Sequence, residues 1–131
     1  MAITHTVTST WSASNDTNLS ASVALSGDGS DSRSLTIVDT TDGQEVDISW
    51  TNANLKSLFI LASRAMTIFS NVDGGAGNDT LVLVANVPKI FQSGGGQVNP
   101  FITANVTKLF VDNLSGGNGT LEIRVLVDST P

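Results

Sequence analysis

Hydrophobic and polar residues alternate with a period of two along most of this chain, and that period belongs to β-strands. Residues 3 to 11 place Ile3, His5, Val7, Ser9 and Trp11 on one face and Thr4, Thr6, Thr8 and Thr10 on the other. After a polar turn from Ser12 to Asn18, the residues Leu19, Ala21, Val23 and Leu25 repeat the period, and SGDGSDS at residues 26 to 32 closes the segment. The first two strands therefore read as a pair. RSLTIVD and EVDISW follow, the second with Val46, Ile48 and Trp50 in register, separated by TTDG. Asp42-Gly43 is hairpin chemistry, because glycine takes a positive φ without steric cost, and it predicts strands three and four as hydrogen-bonded neighbours.

Beyond Trp50, residues 52 to 57 are suited to a helical turn, but SLFILAS is too short and too uniformly apolar for a surface helix. It reads as a strand buried on both faces. AMTIFSN is strand six, and DTLVLVA, launched from the glycine-rich loop at residues 71 to 78, is strand seven with Leu81, Leu83 and Ala85 turned to the core. Pro88 cannot donate to a ladder and ends it. KIFQ is brief, SGGGQVNP at residues 93 to 100 is the longest loop, and TKLFVDN and TLEIRVLVD are predicted to close the chain as a hairpin across LSGGNGT. In the last strand Leu121, Ile123, Val125 and Val127 share one face. Nine or ten short strands and no helix point to an all-β fold, an antiparallel β-sandwich of jelly-roll or Greek-key type.

The chain has 131 residues, the size of one domain able to bury roughly two-thirds of its unfolded surface. The whole of it reads as a single β-sandwich domain, with residues 1–12 and 128–131 as extended terminal arms. Twelve acidic and six basic residues give a net charge of −6, which opposes a phosphate backbone and argues against a nucleic-acid partner. The N-terminal segment has no basic region or signal-length apolar run, and no stretch has the roughly 20 apolar residues that span a bilayer, so the product is expected to be soluble where it is made. There is no Cys, hence no disulfide, thiolate ligand or Cys nucleophile. Only 14% of residues are charged, and Ser, Thr, Asn and Gly carry the polarity, a surface compatible with packing against copies of the same chain.

Candidate chemistry is sparse. Gly74-Gly75-Ala76-Gly77-Asn78-Asp79-Thr80-Leu81 fits the nine-residue calcium repeat GGxGxDxUx at every fixed position. That chemistry needs stacked copies, and the nearest echo, GGNGTLEI at residues 116 to 123, lacks the Asp and the nine-residue spacing. The loop is read instead as the corner that launches strand seven. Asp28 with Asp31, and Asp39 with Asp42 and Glu45, are loop carboxylates of a kind that binds hard cations but more often stabilises turns. His5 is the sole His and there is no nucleophile elbow, so a hydrolytic triad has nowhere to assemble. Two carboxylates would suffice for a glycosidase, but its aromatic-lined cleft is poorly supplied by two Trp and no Tyr. No enzyme, metal or cofactor is expected. Trp11 and Trp50, each in register with apolar neighbours, are expected in the core rather than as sugar platforms.

From residue 81 onward the order LVLVANVPKIF, a Gly-rich loop, NPF, NVTKLFV and NGTLEIRVLVD resembles the C-terminal block of small virion-associated β-proteins of tailed phages, the capsid decoration or cement proteins in particular. The motifs that carry the likeness are strand and turn residues. The resemblance implies a jelly-roll-like sandwich on the outer capsid surface of the virion, made soluble in the host cytoplasm. It implies a homo-oligomer, dimer or trimer, that bridges neighbouring major capsid proteins without catalysis or cofactor. A receptor- or glycan-binding module of a phage head or tail fibre is the alternative. Interface residues are expected in the longest Gly-rich connections, at Gln97, Val98, Asn99, Pro100 and Phe101 and at Asn113, Leu114 and Asn118.

Overall fold

Ten antiparallel strands make three sheets in the computed structural model, which describes residues 2–74 and 78–129. Strands β1 (Ile3–Trp11) and β2 (Leu19–Gly27) pair only with each other, Val7 opposite Val23 and Trp11 opposite Leu19. The other eight are β3 (Gly29–Ile37), β4 (Thr41–Val46), β5 (Leu55–Ala62), β6 (Met66–Ser70), β7 (Thr80–Leu83), β8 (Lys89–Gln92), β9 (Leu109–Asn113) and β10 (Gly119–Val127). They form two four-stranded sheets of order β3-β10-β5-β8 and β4-β9-β6-β7. Successive strands alternate between the sheets except at β6–β7, and this order is that of a jelly roll.

The core lies between the sheets. Ile37, Leu58, Ile60, Ala62, Leu121, Ile123 and Val125 from one inner face meet Val46, Met66, Ile68, Leu81, Leu83, Leu109 and Val111 from the other. Period-two alternation produces both faces, and pairs such as Ile123–Ile60 and Ile68–Val111 place like side chains opposite one another across the ladders. Strand β5, expected to be buried on both faces, is buried inward at Leu58, Ile60 and Ala62 but only half-buried outward at Phe59 and Leu61. On the edge strand β3, Asp31 and Arg33 lie opposite Val125 and Ile123, on the row that faces inward, and form an ion pair. Inward-pointing charge on an edge discourages pairing with another chain's strand.

Two predicted hairpins are absent. Strands β3 and β4 belong to different sheets, as do β9 and β10. The chain turns after β3 at Val38–Thr41, where Thr40 has φ 62° and the Thr41 N–H bonds to the Val38 carbonyl at 3.2 Å. Asp42 and Gly43 lie inside β4, where the ladder to β9 slips between Thr41 and Gln44. The positive φ of Gly43, 77°, serves a bulge there rather than a turn. Strand β7 ends at Leu83, so Ala85 is exposed, because Asn86 (φ 62°) reverses the chain. A single residue, Asp28, separates β2 from β3, which begins inside the segment predicted to be loop.

One end of the sandwich is closed by loops and amides. Trp50 and Phe101 meet edge to face, centroids 5.9 Å apart at 62°, above Ile48 and Val106. Asn52 accepts from the Trp50 indole N–H at 3.0 Å and donates to the carbonyls of Phe101 and Ala104. Asn99 accepts from the Phe101 N–H at 2.9 Å. Asn71 does the same for the adjacent loop, taking the Thr107 N–H at 2.7 Å and donating to the Asn105 carbonyl. Among the described residues no buried side-chain nitrogen or oxygen lacks a partner. Phe101 is therefore part of the core, fully buried, and not an interface residue as predicted. Replacing Phe101 with Ala should remove about 3–5 kcal/mol of stability. Urea unfolding should show it as a lowered midpoint, and an unchanged midpoint would place the ring outside the core.

Candidate functional site

The β1–β2 hairpin is the part of the molecule that the sandwich does not absorb. It leaves the body at Gly27 and Asp28. A Cβ on Gly27 would sit 2.2 Å from the Val127 carbonyl oxygen, so only glycine lets the chain cross the end of β10 this closely. Beneath this base, Leu126 and Ser57 on the outer face of the sheet are buried. Asp28 holds the junction: its N–H bonds to the Val127 carbonyl at 3.0 Å, and its carboxylate accepts from the Ser129 N–H at 2.9 Å and from the Ser129 hydroxyl. The Asp128 N–H bonds to the Asn54 carbonyl. Asp128 and Ser129 are thus tied to the body rather than forming a free arm, and Thr130 and Pro131 lie outside the described residues.

The proximal half of the hairpin stands over the outer face of sheet β3-β10-β5-β8, where Ile3, His5, Val7 and Leu25 are half-buried. Between β1 and the sheet runs a cleft of about 390 Å³ bordered by residues 4–8 of β1, with His5 and Val7 on the side facing the sheet, and by Ser57, Phe59 and Arg124. The guanidinium is held in place by the carbonyls of Arg33 and Ile123 and by Glu122 at 2.9 Å. The distal half carries Trp11, 66% exposed, and Leu19, 64% exposed. Trp11 is the one tryptophan not in the core. The alternation that predicted its burial is real, but the distal half of the hairpin reaches past the sandwich sheet, which leaves Trp11 in solvent.

The predicted interface residues divide. Gln97 and Val98 are exposed, Val98 at 73%, and Leu114 is 72% exposed. Pro100 is half-buried. Asn99 and Asn113 are buried with Phe101 and spend their amides inside the protein, Asn99 donating to the Asn52 side chain at 3.3 Å while accepting from the Phe101 N–H. The Asn113 amide donates to the carbonyls of Ile37 and Gly117 at 2.8 and 3.0 Å, which fixes the crossing from β9 to β10. Asn118 is exposed but accepts from the Asp39 N–H at 2.9 Å, linking two turns. Buried asparagines and surface asparagines look alike in the sequence.

The carboxylates regroup as well. Asp28 serves Ser129, Asp31 pairs with Arg33, Asp39 accepts from the Thr40 and Gly116 N–H groups, and Glu45 pairs with Lys108 at 3.2 Å. Asp79 accepts from the Thr103 N–H and hydroxyl at 2.9 and 2.7 Å, stapling the glycine-rich loop to the loop after Phe101. Gly75, Ala76 and Gly77 of the calcium-repeat match lie outside the described residues. Asp42 instead converges with Asp73 and Asp112, one oxygen of each lying within 4.8 Å of the others. Residues 31 and more positions apart in the chain gave no signal of this. Three protein oxygens fall short of the six to eight that calcium takes, so the cluster by itself defines no calcium site.

The cluster does have an electrostatic consequence. Asp112 is held above its ordinary value of 3.8, first by desolvation and then by the charges of Asp42 and Asp73, against the opposing Gly43 N–H bond at 2.6 Å. A folded-state pKa above the unfolded one means that the folded chain binds more protons just above pH 3.8, so this group's contribution to stability falls as pH rises through that window. Asp112→Asn keeps an acceptor for Gly43 and removes the charge. Solvent screening limits the gain to about 0.5 kcal/mol, about 2 °C in Tm at pH 7, vanishing by about pH 3. Thermal melts at the two pH values read it, and a lower Tm at pH 7 would contradict the repulsion. Comparison with known proteins finds no matching family model, no similar curated protein and no similar solved structure.

Proposed function

We propose that this chain is a structural, non-enzymatic virion protein that binds the outer surface of a capsid and stabilises the shell by bridging major capsid proteins. The observation that carries the reading is the combination of a jelly-roll body with a charge-poor, amphipathic hairpin projecting from it. Such an arm offers unpaired strand edges and an apolar row to a neighbour, and main-chain pairing at an edge is a common way for one β-protein to grip another. Exposed Val98 and Leu114 add apolar contact at two loops. The sequence resemblance to tailed-phage cement proteins points the same way. Net charge −6 suits an outward-facing position away from packaged nucleic acid.

One observation favours a second reading, a receptor- or glycan-binding module. The cleft beside β1 sets His5 and Ser57 beside an aromatic ring, Phe59, and a positioned guanidinium, Arg124, which are groups of the kind that hold a sugar. The two readings separate cleanly in solution. A cement protein co-sediments with shells that lack it and raises their thermal rupture temperature, and Arg124→Ala leaves that unchanged. A glycan binder retains sugars as an isolated protein and loses them in Arg124→Ala. Failure to associate with shells at any salt concentration would sink the first reading.

A further inference from the structure

Ser57 and Gln92 bury polar side chains whose hydrogen-bonding capacity the fold leaves unspent. They lie opposite each other across the β5–β8 ladder, on the outer face of the sheet, in the row that continues to Leu126. Ser57 is 4% exposed and Gln92 8%, yet neither the hydroxyl nor the amide has a hydrogen-bond partner among the described residues. Every fully enclosed side-chain nitrogen or oxygen among those residues is paired, so the polar ends of these two keep some access. For Ser57 that access is the cleft beneath β1, which it lines with Phe59 and Arg124 from below and His5 and Val7 from above. A hydroxyl that gives up most of its water and gains no protein partner is a cost to the fold. Beside a cleft of about 390 Å³, it marks where a ligand pairs.

We propose that the ligand is a single uncharged sugar ring, free or at the end of a glycan, held by Ser57 and stacked on Phe59. This rests on the glycan-binding reading and narrows it to one class. The unspent groups are of mixed sense: the Ser57 hydroxyl and the Gln92 amide both donate and accept, and a neutral His5 imidazole, also without a partner among the described residues, does one at each nitrogen. A carboxylate or phosphate only accepts and would leave their acceptor atoms unpaired, whereas each sugar hydroxyl does both. Charge agrees. Arg124 is the cation of the cleft, but it is already paired with Glu122 at 2.9 Å in a chain of net charge −6, so an anion meets no surplus positive charge. Its Nη groups are spent on Glu122 and on the carbonyls of Arg33 and Ile123, which leaves the Nε–H as a further donor.

Phe59 stands beside Ser57's row on the same face of β5 and opposite Arg124, so ring and guanidinium are neighbours in the floor. With Val7 in the roof, it supplies the apolar surface that a pyranose covers with its C–H face. Roof and floor belong to different parts of the molecule, β1 to the arm and β5 with β10 to the body. A bound ring therefore touches both and holds the arm to the sheet.

NMR titration of the isotopically labelled full chain with the methyl glycosides of glucose, galactose and mannose, each to about 50 mM, reads a Kd of about 1 mM, the strength expected of about a dozen non-hydrogen atoms. At least one of these sugars should move the amide signals of residues 4–8, of Ser57 to Phe59 and of Arg124 together. Glucuronate and N-acetylneuraminate, which carry a carboxylate, should not. Ser57→Ala should weaken binding about tenfold and leave Tm equal or higher, because the hydroxyl is spent on nothing in the fold. Phe59→Leu keeps an apolar floor and should weaken binding about fivefold. Thr10→Ala, on the reverse face of the distal arm, should change neither property. Silence from every sugar overturns the proposal and the glycan-binding reading with it. Binding of the acidic sugars alone overturns the proposal and leaves that reading standing. Signals that move only elsewhere, affinity that Ser57→Ala leaves intact, or a Tm that Ser57→Ala lowers overturn the proposal as well.

Discussion

Face-to-face burial of two apolar sheets is the interaction on which the rest of this protein depends. Within the sandwich, consecutive strands lie in opposite sheets everywhere except β6–β7, so local hairpins cannot hold the body together. Apart from β6 and β7, each strand of the sandwich finds its hydrogen-bonding neighbours only after the chain has crossed the core, and the crossing is favourable because residues such as Leu58, Ile68, Leu109 and Ile123 leave water together. The polar features are arranged around that requirement. Asn113 ties the β9–β10 crossing, Asn52 and Asn99 tie the loop that brings Phe101 to Trp50, and the Thr40 turn carries β3 into β4.

Asparagine does here what charged residues do in other proteins. A primary amide both donates and accepts, so one side chain can satisfy two or three loop backbone groups at the rim of a core without the desolvation penalty of an ion. Asn52, Asn71 and Asn113 each do this. The abundance of Asn that suggests a solubilising surface is in good part internal scaffolding. The few carboxylates act likewise as staples for neighbouring loops, and where three of them meet, at Asp42, Asp73 and Asp112, the result is mutual repulsion in the folded state.

The hairpin arm is the exception to this economy. Its sequence alternates as regularly as any core strand, yet β1 and β2 take no place in either sandwich sheet and their apolar row reaches past the body. Gly27 and Asp28 make the separation sharp, one by allowing a close pass over Val127, the other by locking the junction to the C-terminal segment. Distally that arm keeps its apolar row in solvent, while its reverse face is all hydroxyl and Ala.

By itself the sequence determined the all-β class, the two-period strands, most of the inward-facing residues from Leu35 to Val127, the β1–β2 pairing and the doubly apolar character of β5. These follow from alternation and turn chemistry, which are local. Only the tertiary structure decided which strands are neighbours, because Asp-Gly and Asn-Gly mark a reversal of the chain without saying whether the next strand pairs or crosses to the other sheet. It also decided that Trp11 is outside and Phe101 inside. Both carry the same local signal of an aromatic beside apolar or Gly-rich neighbours, and burial depends on whether a second sheet or loop arrives to cover them. The carboxylate cluster is likewise tertiary, since β4, the loop after β6 and β9 meet only once the sandwich has closed.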